Sequence, residues 1–141
     1  MAAHEGRPVS ADVVQRLQAV VGPHGFLDQP ADIAPYCKSW RDDWQGDVAL
    51  VLRPKSTAEV AALVTICAQT GTAIVPQGGN TGLTGGSQPH ADRSEVIIST
   101  ARMTAVREVD LANETVTLEA GVILQQIQQL AANHNRLFPL S

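Results

Sequence analysis

Pro76-Gln77-Gly78-Gly79-Asn80-Thr81-Gly82-Leu83-Thr84-Gly85-Gly86-Ser87 is the stretch on which the reading of this chain turns. Five of its twelve residues are glycine. Glycine lets successive backbone amides turn toward one point and lets a ligand approach without meeting a Cβ. Amides arranged in that way form an anion-binding concavity. Asn80, Thr81, Thr84 and Ser87 add side-chain donors. From Gly71 through Ala91 there is no Asp, Glu, Lys or Arg, so nothing repels a phosphate and no fixed cation is needed to hold one.

Two familiar phosphate loops do not fit. A Walker loop ends in Gly-Lys-Ser/Thr, and no lysine lies here. The dinucleotide fingerprint G-x-G-x-x-G runs directly into a helix. Here Ser87 to Arg93 contains a proline and no apolar period, so no helix is expected at once. A third kind of diphosphate cradle is required.

The flanking sequence reads as α/β. Val48 to Leu52 is an unbroken apolar run, as expected of a strand covered on both faces. Ser56-Thr57-Ala58-Glu59 is a capping box opening a helix, with Val60, Leu63, Val64 and Cys67 on one face. Gly71 is placed to end it with a positive φ, and Ala73 to Val75 is the next strand. Strand, helix and strand form a βαβ unit with parallel strands and a right-handed crossover. The glycine loop therefore leaves the carboxyl end of a parallel strand, where open α/β folds place ligands.

Further out, Ser10 caps a helix to about Val21, with Val13, Val14, Leu17, Val20 and Val21 on one face, and Gly22-Pro23 stops it. Residues 23–47 read as an irregular connection with some short structure. Within it both tryptophans, Trp40 and Trp44, are expected to be packing anchors for a long loop. Val96 to Ser99 is a strand, and Val106 to Val109 with Thr115 to Ala120 is a hairpin. A final amphipathic helix covers Leu124 to Ala132, with Leu124, Ile127, Leu130 and Ala131 inward and a glutamine-rich face in solvent. The ending Leu137-Phe138-Pro139-Leu140-Ser141 is apolar, and the chain is expected to stop in the middle of a larger fold.

Composition narrows the function classes. At 44% hydrophobic and 17% charged residues, the chain can form a packed core. A net charge of −4 and no Lys/Arg run speak against a nucleic-acid partner. No apolar stretch reaches the roughly 20 residues that span a bilayer. Met1 to Ser10 resembles neither a secretory signal nor an Arg-rich transit peptide, so a cytoplasmic location is expected. Cys37 and Cys67, thirty residues apart, fit no zinc spacing and are expected as buried thiols. His4, His24, His90 and His134 fall in no metal-ligand spacing.

Arg53-Pro54 with its capped helix, then Val75-Pro76-Gln77-Gly78-Gly79-Asn80-Thr81-Gly82-Leu83 and Gly85-Gly86-Ser87, resemble FAD-binding domains of the vanillyl-alcohol oxidase type. Ile98-Ser99-Thr100-Ala101-Arg102-Met103, Glu119-Ala120-Gly121 and Phe138-Pro139-Leu140 are similar to the branch of D-2-hydroxyglutarate dehydrogenase and cytochrome-linked D-lactate dehydrogenase. The resemblance covers residues from about 45 to 141. It implies an α+β fold: an N-terminal helix and connection (1–47), a first FAD-binding subdomain (48–101) and the start of a second, truncated one (102–141). It implies that Pro76, Gln77, Gly78, Gly79, Asn80, Thr81, Gly82, Leu83 and Ser87 bind FAD. With no histidine in the loop before His90, the flavin is expected to be noncovalent. The implied reaction is hydride transfer from the α-carbon of a D-2-hydroxy acid to flavin, giving the 2-oxo acid. The resemblance places its catalytic and metal residues beyond this chain, which is expected to be inactive alone. A noncatalytic nucleotide- or phosphate-binding module, or a related flavoenzyme with another substrate, are the other readings open at this point.

Overall fold

The computed structural model describes residues 6–41 and 43–140. Helix α1 (Ala11–Val21) starts where Ser10 stands in extended backbone and its hydroxyl accepts from the Val13 amide at 3.4 Å. It ends at Gly22, whose φ of 67° frees its amide to bond the Gln18 carbonyl. Two short elements follow, strand β1 (Phe26–Leu27) and helix α2 (Pro30–Ile33), the latter continuing into a 3₁₀ turn over Ala34–Tyr36. Strand β2 (Val51–Leu52) leads to helix α3 (Thr57–Thr70), strand β3 (Ala73–Gln77) and strand β4 (Glu95–Ser99).

These strands make one sheet in the order β1-β2-β4-β3. β4 lies between β2 and β3 and is parallel to both, while β1 pairs antiparallel with β2. The βαβ unit expected from the sequence is thus present, with β4 inserted between its two strands. All five residues of β4 are buried, as befits a central strand. β3 is an edge strand, so Pro76, which has no N–H, costs the ladder little.

Side chains alternate across the sheet. Leu50, Leu52, Val96 and Ile98 pack with Val13, Leu17 and Val21 of α1 and Leu63 and Cys67 of α3. Val48, Val51, Val75 and Ile97 point to the other face, against Ile33 and Cys37. The stretch expected as a leading helix and connection therefore supplies α1, β1 and α2 to the same core as the sheet. Both cysteines are free and buried. Burial, then the nearby Asp47 charge, push the Cys37 thiol up to about 11. Burial also raises Cys67.

Three local expectations differ. Val48, Leu50, Val51 and Leu52 are buried and Ala49 half-buried, but only Val51 and Leu52 are strand: the Asp47 amide bonds the His90 carbonyl, holding the start of the run to a loop. On α3 the buried line is Leu63 and Cys67, flanked by Ile66, whereas Val64 is 44% exposed. Val64 lies one residue, about 100°, around the helix from Leu63 and so turns off the contact face. The Glu59 carboxylate reaches the Lys55 amide at 2.8 Å, one residue before the cap, while Ser56 accepts from Glu59 as expected.

The remaining chain forms a hairpin and a helix. Strands β5 (Val106–Asp110) and β6 (Thr115–Leu118) pair antiparallel with an irregularity between Val106 and Glu108. Asp110 closes the turn by accepting from the Ala112 and Asn113 amides, and the Asn113 side chain above all holds its carboxyl below the usual range. Helix α4 (Leu124–Asn133) has no buried residue, and Leu124, expected inward, is 36% exposed. Ile127, Leu130 and Ala131 are half-buried over an open groove of about 420 Å³ between α4 and the hairpin. The junction to the sheet is tight at Gly121. Its amide donates to the Met103 carbonyl at 2.8 Å, and a Cβ there would collide with the Thr100 carbonyl.

Candidate cofactor site

The glycine loop runs from the end of β3 back to β4. Gln77, at its first foot, is only 3% exposed. Its amide nitrogen donates to the Tyr36 carbonyl at 2.9 Å and to the Ser87 carbonyl at 3.0 Å. The side chain thus ties the two feet of the loop together and is turned away from the loop's open side. Asn80 stands at a left-handed φ of 54°. Its Nδ2 donates to the Lys38 carbonyl at 3.1 Å. A carbonyl only accepts, which fixes the amide orientation. Asn80 Oδ1 then accepts from the Ser87 hydroxyl at 3.0 Å and from Gln88 Nε2 at 2.7 Å. Of the expected site residues, Gln77, Asn80 and Ser87 therefore spend their side chains shaping the loop.

That frees the backbone. Among the described residues, no amide from Gly78 to Ser87 donates to a protein acceptor. A Cβ added at Gly78, Gly85 or Gly86 would meet nothing within 4 Å, and at Gly79 and Gly82 only single side-chain atoms at 3.9 and 3.8 Å. These glycines are not demanded by internal packing, unlike Gly25, Gly46 and Gly121, where a Cβ would strike backbone. Gly85 also needs its freedom for a φ of 79° at the turn whose carbonyl accepts from Gln88. The loop therefore presents uncommitted N–H donors over open space, the arrangement that suits an anion. Thr81, Leu83 and Thr84 are exposed along its rim, and Pro76 is exposed at the strand end. Gln88 is 7% exposed, and among the described residues its Oε1 is buried without a partner.

A second segment faces the loop. The Ser39 amide donates to the Trp44 carbonyl and the Gly46 amide to the Cys37 carbonyl, closing residues 37–46 into a tight hairpin-like turn. Trp44 is tied by its polar edge rather than by the burial expected of it: it is 41% exposed, its Nε1 donates to the Pro89 carbonyl at 2.8 Å and its ring meets His90 edge-on at 6.2 Å. Trp40 is not an anchor, because at the tip of this turn it is 73% exposed. Two cavities lie between segment and loop. One, of about 490 Å³, includes Lys38, Trp40, Arg41, Gly79 and Asn80 in its lining. The other, of about 200 Å³, includes Arg41, Asp43, Gly82, Gly85 and Gln88. The sequence reading missed Lys38 and Arg41 beside the loop. The one signal was two tryptophans spaced closely in a chain with 4% aromatic residues.

The loop's exit is held by a buried carboxylate. Glu95 accepts from the His90 amide at 2.7 Å and lies 3.1 Å from His90 Nδ1. Among the described residues no group of His, Cys, Asp or Glu is placed to hold a metal, and no helix is long and apolar enough to cross a membrane.

Free glycine amides at the end of a parallel strand, beside a mixed sheet and followed by a hairpin-helix unit, suit an FAD-binding domain, and the chain belongs to that family: the pattern of the FAD binding domain matches residues 48–141. FAD is accordingly its cofactor. The chain is 34% identical over 139 residues to a Schizosaccharomyces pombe protein classed by name with the mitochondrial D-lactate dehydrogenases, covering 94% of this chain and 26% of that protein. It is 34% identical over 132 residues to the mitochondrial D-2-hydroxyglutarate dehydrogenase of Bos taurus, covering 94% of this chain and 24% of that one. The chain thus spans about a quarter of the length of these relatives. Among solved structures, an alkyldihydroxyacetonephosphate synthase superposes with a TM-score of 0.80 at 22% identity, covering 94% of this chain and 26% of that one. The fold is the vanillyl-alcohol-oxidase-type FAD-binding fold, α+β as the sequence implied.

Proposed function

We propose that this chain is the FAD-binding portion of a flavin-dependent dehydrogenase that oxidises a D-2-hydroxy acid, of the 2-hydroxyglutarate or lactate type, to the 2-oxo acid. The observation that carries the reading is the row of uncommitted amides from Gly78 to Ser87 over open space. In this reading the amides of Gly78, Gly79, Thr81 and Gly82 face the diphosphate of FAD. Asn80, Gln77 and Ser87 hold the loop in shape, and Pro76 and Leu83 border it. Bound FAD supplies a hydride acceptor; the chain's own residues bind and orient it. The flavin is held without a covalent bond, since the loop carries no histidine and the nearby His90 ring is engaged with Glu95.

Residues 48–101, with α1 and β1 packed on them, act as the first FAD-binding subdomain, and 102–141 as the start of a second. The exposed apolar side chains of Leu124, Leu137 and Leu140 fit an element that further chain would complete. Substrate and catalytic residues then come from outside residues 1–141, and the chain alone is inactive.

The test is titration of the full-length protein with FAD and ADP, followed by anaerobic addition of D-2-hydroxyglutarate or D-lactate. Tight FAD binding and bleaching of the flavin band by one of these acids are expected. ADP binding with no preference for FAD and no bleaching would favour a noncatalytic nucleotide module.

A further inference from the structure

We infer that the Ser39–Trp44 segment is the second wall of the dinucleotide site, with Arg41 pairing the diphosphate and Trp40 stacking on one of the ligand's rings. The inference rests on the FAD reading above and adds residues that lie outside the glycine loop.

Both cavities beside the loop are shared with this segment, and Arg41 lines the two of them. The loop itself has no charged residue from Gly71 through Ala91, whereas a diphosphate is a dianion. Backbone amides offer partial charges; a guanidinium offers a full one in a planar fork matched to phosphate oxygens. Asp43 also lines the smaller cavity, but its carboxylate accepts from the Ser39 hydroxyl at 2.6 Å. Arg41 lines both cavities, so it stands beside Gly79 on the larger side and beside Gly82 on the smaller, along the row of amides that would face the diphosphate.

Trp40 is the most exposed of the large aromatic residues, at 73%, and it lines that same larger cavity. Aromatic side chains bury large areas when they find a partner, and a planar ring is the natural one. FAD brings two. The wall is also held in register with the loop: Asn80 Nδ2 donates to the Lys38 carbonyl and Trp44 Nε1 to the Pro89 carbonyl.

The experiment is calorimetric titration of the full-length protein with FAD and with ADP. Variants are Arg41→Ala, Arg41→Lys, Trp40→Leu and Trp40→Phe. Both positions are exposed, so thermal midpoints should match the wild type. Arg41→Ala is expected to weaken FAD and ADP by about tenfold or more, the scale of a charge-assisted bond, and to flatten the salt dependence of binding. Arg41→Lys should recover part of this. Trp40→Leu should weaken FAD by about fivefold, with Trp40→Phe close to wild type. Tryptophan emission should be quenched by FAD in the wild type and far less in Trp40→Phe. If Arg41→Ala and Trp40→Leu bind FAD within about twofold of wild type, the wall has no role while the FAD reading stands. If the wild type binds no FAD, the reading fails and this inference with it.

Discussion

β4 and α4 are both amphipathic or apolar by sequence, yet one is wholly buried and the other buries nothing. β4 sits at the centre of a four-stranded sheet with helices on one face and the α2 turn on the other. α4 faces a two-stranded hairpin across an open groove. Two strands and one helix cannot enclose a core, whereas three or more strands with helices can. The difference teaches that the sheet unit owns its stability and that the hairpin-helix unit borrows its own through the junction at Gly121 and a few polar ties. Arg102, which donates to the His24 and Arg53 carbonyls, and Arg107, which reaches Thr57, are among those ties.

The largest effect should separate the two units. Leu17→Ala removes a fully buried side chain and should cost about 2–5 kcal/mol in urea unfolding. Leu130→Ala in α4 should cost under about 1 kcal/mol. Equal losses would break the comparison. Next come the two classes of glycine. Gly121→Ala forces a Cβ against the Thr100 carbonyl and should destabilise by about 1–3 kcal/mol. Gly78→Ala meets open space, so stability should stay within about 0.5 kcal/mol while FAD affinity falls about tenfold. Ser56→Ala, which removes the cap of α3, should cost about 1 kcal/mol, seen as a lower urea midpoint.

Two pH effects sharpen the contrast. Cys37 belongs to the core, and its thiol is raised from 9.0 to about 11. A raised pKa means that the neutral form favours the fold. Its contribution is complete below pH 9 and is lost as pH climbs through about 11, a loss that Cys37→Ala should remove from the urea midpoints. At neutral pH both thiols should react with a thiol reagent only as fast as the sheet unit opens. At the junction, Glu119 has its carboxyl lowered by the Ala105 amide first and by Arg107 second. Its contribution is present above the ordinary carboxylate range and fades as pH falls through the lowered value. Glu119→Gln should remove that small acid-side dependence, and a strong acid dependence left in the variant would point elsewhere.

Much of the sheet unit was legible because its signals are local. Ser10, Ser56, Gly22 and Gly71 mark helix ends by chemistry that acts within one turn. Strand order was not legible. β2 and β4 are both short apolar runs, and nothing in either says that β4 takes the central place between β2 and β3. The loop's open, uncharged row of amides was legible, but the division of labour among its side chains was not. Asn80 and Ser87 read as ligand donors and the resemblance added Gln77, yet the side chains of Asn80 and Gln77 tie the loop to Lys38, Tyr36 and the Ser87 carbonyl, and the Ser87 hydroxyl bonds Asn80. Nor could the sequence place Trp40 and Gly79 around one cavity, since the two lie some forty residues apart and the turn is tied to the loop by the Trp44 Nε1 bond to the Pro89 carbonyl.

The central claim is that the backbone amides of the glycine loop grip the cofactor. Amide hydrogen exchange over residues 78–87, in the full-length protein with and without saturating FAD, tests it most directly. Exchange there should slow by about tenfold or more on FAD addition, since free donors become bonded. FAD bound to saturation with unchanged exchange across Gly78, Gly79 and Gly82 would contradict it.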